Sequence, residues 1–141
     1  MSDHSVQIVL ASTSPYRKEL LEKLAIPFAQ VDPEYVEIPL NGESPDNKAL
    51  RLAQGKAVAG AEKLASQQAS IVIGSDQVAS CEGRIFSKPG TKENALEQLT
   101  HCSGKWSQFS VGVALVNEQN IRANNGGCLW CAHRCFAQSS D

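Results

Sequence analysis

The sequence lacks features that would assign it to several common classes of protein. No apolar run approaches the roughly 20 residues that a membrane-spanning helix needs, so no membrane contact is expected. Basic residues are not in excess, because 13 Lys and Arg stand against 15 Asp and Glu, a formal net charge of −2. A general nucleic-acid binder would normally show a basic face, so nucleic acid is not an expected partner. The five cysteines are odd in number and unevenly spaced, which does not indicate a disulfide framework.

The first residues also lack the pattern of a secretory signal. The apolar stretch 6–11 is short and resembles a strand, and Asp3 precedes it instead of a basic cluster. A cytoplasmic location is the default expectation. With 141 residues and 42% apolar content, the chain has the size and composition of one domain built around one core.

An alternation of strand-like and helix-like segments is present, and it predicts an α/β fold. Strands are indicated by short apolar segments, and helices by a serine or threonine N-cap that is twice followed by proline. The predicted strands cover residues 6–11, 28–31, 71–74 and 107–116, and the predicted helices begin at Pro15, Pro45 and just after Thr91. The second helix is expected to run to about residue 66, and a hairpin turn is expected at 82–84.

The first group of candidate binding residues lies between the first predicted strand and the first predicted helix. It consists of Ser12, Ser14 and Arg17. Backbone N–H groups at a helix N-terminus attract phosphate, and an arginine adds a fixed charge suited to bidentate recognition. A capped helix with a surface arginine explains the same pattern taken alone, because caps are common.

Asp76, Lys88 and Glu37 form a second group. Asp76 follows the third predicted strand, where a carboxylate is well placed for a metal or a water; a turn-capping aspartate is the equal alternative. Lys88 precedes a proline, which favours an extended backbone, although a solvated surface lysine is the ordinary explanation. Together with Arg17, these residues supply the cations, carboxylates and base that phosphoryl chemistry needs.

In these motifs the sequence resembles the Maf family of nucleotide pyrophosphatases. Residues 12–17 resemble the Ser-x-Ser-x-x-Arg motif that opens the family, and residues 73–77 resemble its strand-end motif with the catalytic aspartate. Residues 87–89 match its Lys-Pro motif, and residues 103–104 match the Ser-Gly before a later strand. The motifs stand in the family's order between about residues 8 and 116.

The resemblance implies a fold, a reaction and a set of site residues. The implied fold is α/β, a Maf-like (ITPase-like) mixed sheet flanked by helices. The implied reaction is hydrolysis of a nucleoside triphosphate between the α- and β-phosphates, giving a monophosphate and pyrophosphate. By the same resemblance Asp76 accepts the proton of the attacking water, Ser12, Ser14, Arg17, Lys56 and Lys88 bind the substrate, and Glu37 with Asp76 holds a divalent cation, Mg²⁺ or Mn²⁺.

Tyr16 and Gln77 resemble the subgroup of the family that acts on 7-methyl-GTP. A methylated purine is cationic and would favour an aromatic ring face, which gives Tyr16 a physical role in specificity. The expected partner is therefore a nucleoside triphosphate, and the resemblance leaves room for a homodimer.

The sequence departs from the family pattern at three positions and at its end. Val36 stands where an acidic residue is usual, Gly55 where glutamate is frequent, and Ser87 where glycine is usual. Residues 1–120 are expected to form an incomplete Maf-like domain whose C-terminal part is missing. Residues 121–141 are expected to be a disordered tail outside the family, with the abrupt change of composition that a reading-frame change would cause.

Two other functions stay open at this point. Cys128, Cys131, His133 and Cys135 place four soft ligands in one short stretch, which would suit a small metal-binding module. Their spacing lacks the longer loop that usually separates two ligand pairs. The second alternative is an inactive relic that binds nucleotide without turnover.

Overall fold

The elements of the fold alternate between strands and helices. The computed structural model describes residues 6–64, 69–117 and 129–137, the last range for its backbone alone. The strands are β1 (Gln7–Ala11), β2 (Ala29–Val31), β3 (Ser70–Cys81), β4 (Arg84–Phe86), β5 (Trp106–Asn117) and β6 (Leu129–Ala137), and the helices are α1 (Pro15–Glu22), α2 (Pro45–Glu62) and α3 (Lys92–Cys102). Within this described part, no helix is long and apolar enough to cross a membrane.

One mixed sheet joins the six strands, in the order β2-β1-β3-β5-β6, with β4 paired beside β3. β1 is parallel to both β2 and β3. β3 is antiparallel to β4 and β5, and β5 is antiparallel to β6. The α/β class and the mixed sheet expected from the sequence are confirmed.

The three helices begin where the capping pattern predicts. Ser14, Ser44 and Thr91 each accept a hydrogen bond on the side-chain oxygen from the backbone N–H three residues later, at 3.3, 3.2 and 3.1 Å. These bonds satisfy N–H groups that the helix itself leaves unpaired. α2 ends at Glu62, earlier than the predicted residue 66.

α2 lies directly against the sheet because small residues face each other across the contact. Ala49, Ala53 and Ala57 recur every four residues and are fully buried along one side of α2. Gly74 on β3 and Gly112 on β5 lie beneath them. A Cβ at Gly74 would collide with the carbonyl of Ala53, and a Cβ at Gly112 with the carbonyl of Ala49. The helix backbone therefore rests on the two central strands, and its side chains project beside them.

The sequence pattern placed Asp76 just beyond a strand ending at residue 74, and that position is wrong. β3 continues to Cys81, and Asp76 lies within it. The cause is antiparallel pairing with β5, which runs from Ile71 opposite Asn117 to Cys81 opposite Ser107. Gly74 and Asp76 are of residue types with a low preference for strands, but the continuous backbone pairing with β5 overrides this preference.

The pattern of residues 128–135 predicts neither helix nor strand, and this is wrong for the backbone of Leu129–Ala137. That segment forms β6, antiparallel to β5, with Trp106 opposite Ala137 and Ala114 opposite Leu129. An edge position supplies backbone hydrogen bonds whatever the side-chain periodicity, so the pattern carried no signal of it. The division of the chain at residue 120 into a Maf-like domain and a tail outside the family stays a prediction.

Candidate active site

The candidate site lies where β1 stops and β3 continues. The last pair between these parallel strands joins Leu10 with Ile73, and the chain then turns from β1 into α1. Asp76 on β3 extends past this last pair. The turn that begins at Ser12 and the carboxylate of Asp76 therefore meet at one end of the sheet, the end where ligands bind in open α/β folds.

The turn after β1 is held by its own serines. Ser12 is buried, and its Oγ accepts a hydrogen bond of 3.1 Å from the backbone N–H of Ser14. Gln30 Nε2 donates to the carbonyl of Ser12 at 2.6 Å. The Oγ of Ser14 accepts from the backbone N–H of Arg17. Both hydroxyls thus fix the turn, and the start of α1 presents the Arg17 side chain to the site.

Lys56 joins the two candidate acidic residues. Its Nζ lies 2.7 Å from Asp76 Oδ1 and 3.2 Å from Glu37 Oε1. The side chains of Asp76 and Lys56 are 10% and 16% exposed, whereas that of Glu37 is 53% exposed. The buried carboxylate of Asp76 therefore has a close cationic partner, as a buried charge requires.

The close contact of α2 with the sheet produces this arrangement. Asp76 is two residues after Gly74, so both face α2, and Lys56 directly precedes the buried Ala57 on that helix. The residue opposite Asp76 on β5 is Gly112, which has no side chain. The missing side chain lets the α2 backbone at Ala49 approach the sheet beside Asp76.

A cleft of about 910 Å³ opens over these residues, within the size range of small-molecule sites. A hollow of about 510 Å³ adjoins it and shares Ser14, Arg17, Lys56 and Lys88 with it. The predicted site residues that line the cleft are Ser14, Tyr16, Arg17, Glu37, Lys56, Asp76, Gln77 and Lys88, and Ser12 lines the adjoining hollow. Every residue proposed for the nucleotide site thus lines one continuous region.

The sequence reasoning did not propose several of the residues around the cleft, including Lys48, Leu52, Phe86 and Tyr35. Lys48 and Leu52 line the cleft with Lys56, and Phe86 lines it from β4. Lys48 and Leu52 stand eight and four residues before Lys56, a spacing that places them on neighbouring positions of one helix side and could have identified them. Tyr35 lines the adjoining hollow, and no sequence signal pointed to it.

The loop before α2 is fastened to the helix by a bidentate ion pair. Arg51 Nε and Nη2 donate to the Glu43 carboxylate at 2.7 and 2.8 Å. The hydrogen bond from Arg51 lowers the pKa of Glu43, and the same contact raises the pKa of Arg51. The electrostatic attraction of Tyr35 also raises the pKa of Arg51. The brace thus links α2 to the loop that carries Glu37.

Glu37 and Asp76 are the candidate metal ligands, and the chemistry of their side chains suits Mg²⁺ or Mn²⁺. Glu37 and Asp76 direct one carboxylate oxygen each toward a single cation, the ammonium of Lys56. Mg²⁺ is typically held by one or two carboxylates together with waters and substrate phosphates. Among the residues whose side chains are described, no group of three or more His, Cys, Asp and Glu could hold a metal ion. Two carboxylates therefore fit a metal that is shared with a phosphate ligand.

The residues of the alternative metal cluster in the tail are not among those whose side chains are described. Cys128 is outside the described residues, and the side chains of Cys131, His133 and Cys135 are outside the described side chains. The metal-module hypothesis therefore stays a prediction.

Comparisons with known proteins show the family of the chain. The sequence model of a family described as "Maf-like protein" matches residues 7–137, a range that includes β6. The 7-methyl-GTP pyrophosphatase of Vibrio vulnificus is 50% identical over 113 residues, covering 80% of this chain and 56% of that protein. The 7-methyl-GTP pyrophosphatase of Paraburkholderia xenovorans is 47% identical over 114 residues, covering 81% of this chain and 56% of that protein. The chain thus spans about half the length of these relatives.

Two solved structures share the fold at low sequence identity. The Ham1 protein of Staphylococcus aureus superposes with a TM-score of 0.57 at 13% identity, covering 95% of this chain and 72% of that one. A HAM1 protein of Coxiella burnetii gives a TM-score of 0.51 at 18% identity, with coverages of 94% and 71%. These likenesses support the mixed α/β fold.

Proposed function

The chain belongs to the Maf-like family, and from that premise we propose that it hydrolyses a nucleoside triphosphate to the monophosphate and pyrophosphate. The observation that carries the proposal is the convergence of one buried carboxylate, Asp76, with cations from three separate elements. Arg17 comes from α1, Lys56 from α2 and Lys88 from the segment after β4, and all three line the cleft with Asp76. This combination suits a polyanionic ligand with a water to be activated beside it.

In the proposed reaction Asp76 acts as general base. The attacking water forms a bond to phosphorus while the P–O bond between the α- and β-phosphates breaks, and the proton of the water passes to the Asp76 carboxylate. Arg17 and Lys88 hold the phosphate oxygens and neutralise the charge that develops on leaving pyrophosphate. The turn at Ser12 and Ser14 keeps Arg17 at the mouth of the cleft.

Glu37 and Asp76 are the proposed ligands of Mg²⁺ or Mn²⁺. When bound, the ion would neutralise phosphate charge and polarise the phosphoryl oxygens. The two carboxylates support this role because both already face one cation.

We take 7-methyl-GTP as the substrate because the relatives just described carry that name. Tyr16 is 68% exposed on the cleft wall, so its ring is accessible to a base. A cationic methylated purine would gain about 0.5–1 kcal/mol from an exposed ring face. Gln77 lines the same cleft and offers an amide for the edge of the base. We also propose that the protein acts in the cytoplasm and forms a homodimer.

The decisive assay measures pyrophosphate release by the purified chain with Mg²⁺. 7-Methyl-GTP is offered beside GTP, dTTP and UTP, and pyrophosphate is distinguished from inorganic phosphate. We expect release from 7-methyl-GTP, and a loss of about 10²–10⁴-fold in Asp76→Asn, the usual contribution of a general base.

The matched control is Asp32→Asn. Asp32 lines the adjoining hollow, and its Oδ1 accepts the backbone N–H of Glu34, a bond that asparagine preserves. This variant should retain activity. If the folded wild-type chain releases no pyrophosphate from any substrate, the proposal is wrong and a nucleotide binder without turnover becomes the better description.

A further inference from the structure

Lys56 occupies the position that the proposed metal would need. Its ammonium lies between the two carboxylates, 2.7 Å from Asp76 and 3.2 Å from Glu37. The lysine side chain is only 16% exposed, so water competes little for the contact with Asp76. A divalent ion held by the same two carboxylates would have to enter the space between them that the ammonium fills.

We propose that the Lys56 ammonium and the divalent cation compete for Glu37 and Asp76, so that metal binding moves Lys56 onto the triphosphate. This inference rests on the proposed function, because it assumes the metal site and the phosphate cleft. Two carboxylates are half neutralised by the lysine and fully neutralised by a divalent ion. Both cations at one point would repel each other, so one must leave.

The geometry gives Lys56 a place to go. Lys56 lines both the cleft and the adjoining hollow, as do Arg17 and Lys88, the proposed phosphate ligands. The lysine stem has four rotatable carbons and carries a compact charge, so the ammonium can exchange carboxylate oxygens for phosphate oxygens without a backbone shift. The lysine thus protects the buried carboxylate before binding and contributes charge to the phosphates afterwards.

The simpler alternative is a permanent ion pair. If Lys56 only neutralises Asp76 and fixes its position, it should stay in place when a metal binds elsewhere in the cleft. Its removal would then leave metal affinity unchanged, or lower it by disturbing Asp76. The two hypotheses therefore predict opposite changes in metal affinity.

The test measures Mn²⁺ binding without nucleotide, from the electron paramagnetic resonance signal of unbound Mn²⁺. We expect Lys56→Met to bind Mn²⁺ about tenfold or more tightly than the wild type, the scale on which residues in contact with metal ligands alter affinity. Lys56→Arg, which keeps the charge, should bind as weakly as the wild type. Equal or weaker binding by Lys56→Met would overturn the inference.

Lys48→Met separates competition from a general change of charge. Lys48 also lines the cleft, and its positive charge attracts the Glu43 carboxylate. We expect this variant to gain much less Mn²⁺ affinity than Lys56→Met. A gain as large as that of Lys56→Met would mean that the net charge of the cleft, and not the position of Lys56, sets the affinity.

The site of the ion is checked by Asp76→Asn and Glu37→Gln, each combined with Lys56→Met. Both double variants should lose the tight Mn²⁺ site. If either double variant still binds Mn²⁺ tightly, the ion lies elsewhere and does not compete with Lys56 for these carboxylates. These outcomes do not depend on hydrolysis, so a failed pyrophosphate assay and a failed competition can be told apart.

A measurement on the wild type guards against a variant that fails to fold. Amine-directed reductive methylation, followed by mass spectrometry of peptides, reports the accessibility of each lysine. Mn²⁺ should increase modification of Lys56 and leave that of Lys48 unchanged. Protection of Lys56 that does not change with saturating Mn²⁺ would contradict the inference.

Discussion

At the scale of single residues, Gly55 has a packing role that explains a departure from the family pattern. A Cβ at this position would collide with the ring of Tyr35, which lies against α2. Tyr35 stands two residues before Glu37 in the loop and helps to raise the pKa of Arg51. A glutamate at position 55 would occupy the space of this ring. The glycine therefore allows an aromatic residue to dock the loop that carries a proposed metal ligand.

This role predicts the effect of Gly55→Ala. The new methyl group should displace the Tyr35 ring and reduce the free energy of unfolding, although the better helix preference of alanine offsets about 1 kcal/mol of this cost. Mn²⁺ affinity should fall as well, because Glu37 loses its position. Chemical denaturation and the Mn²⁺ titration measure the two effects.

A double-mutant cycle with Tyr35→Ala provides the control. In the absence of the ring, Gly55→Ala should cost little and could even favour the helix, since alanine is the better helix former. The losses of stability caused by Gly55→Ala and by Tyr35→Ala should therefore be strongly non-additive. Additive costs would show that the alanine acts on something other than Tyr35.

At the scale of elements, α2 organises the site through its middle and its first half. Its middle rests on Gly74 and Gly112, which brings Lys56 to Asp76. Its first half carries Arg51, whose ion pair with Glu43 fixes the preceding loop. The exposures of Arg51 and Glu43 are 25% and 12%, so the pair is partly shielded from water. Such a pair stabilises more than an exposed one.

The Glu43–Arg51 pair predicts a pH dependence of stability. The pKa of Glu43 is lowered in the folded state, so its contribution is present above the pKa of the unfolded chain and is lost as pH falls through the folded pKa. Glu43→Gln should therefore reduce the free energy of unfolding by about 1–2 kcal/mol at neutral pH. The difference from wild type should shrink below about pH 4, where the unfolded carboxyl is protonated. Urea unfolding at several pH values measures it.

Glu97→Gln is the matched control. Glu97 also accepts a bidentate contact from an arginine, Arg84, at 2.8 Å for both bonds, and this contact lowers the pKa of Glu97. Its side chain is 56% exposed, and solvent screens the pair. The substitution should change stability little at any pH. An effect equal to that of Glu43→Gln would contradict the argument from burial.

At the scale of the whole molecule, the described part exposes several large apolar side chains. α1 buries none of its residues. Leu24 and Ile26, after α1, are 61% and 50% exposed, and the loop before α2 exposes three further apolar side chains. They are Val36, Ile38 and Leu40. An exposed apolar surface of this kind favours association.

We therefore expect the chain to self-associate as its concentration rises. Sedimentation velocity should show a monomer that converts to a larger species, and Leu24→Gln combined with Ile26→Gln should shift the equilibrium toward the monomer. Leu96→Gln with Leu99→Gln, on exposed positions of α3, is the control for another apolar surface. A wild-type chain that stays monomeric throughout would contradict the prediction and the proposed homodimer.

Local patterns determined much of this protein from the sequence alone. Caps at Ser14, Ser44 and Thr91 located the helix starts, because capping needs only a side-chain oxygen near three N–H groups. Apolar runs located the strands, and their alternation with helices gave the α/β class. The candidate residues for the site came from ordered motifs, most of which lie beside the end of a strand or the start of a helix.

Only the tertiary structure decided how these segments come together. The length of β3 depends on backbone pairing with β5, the existence of β6 depends on a sheet edge, and neither leaves a side-chain pattern. The contact of Lys56 with Asp76 joins residues 20 positions apart and depends on the absent side chains of Gly74 and Gly112. Periodicity records which way a residue faces along its own element. It cannot record which other element lies opposite, because that is set by packing between segments distant in the chain.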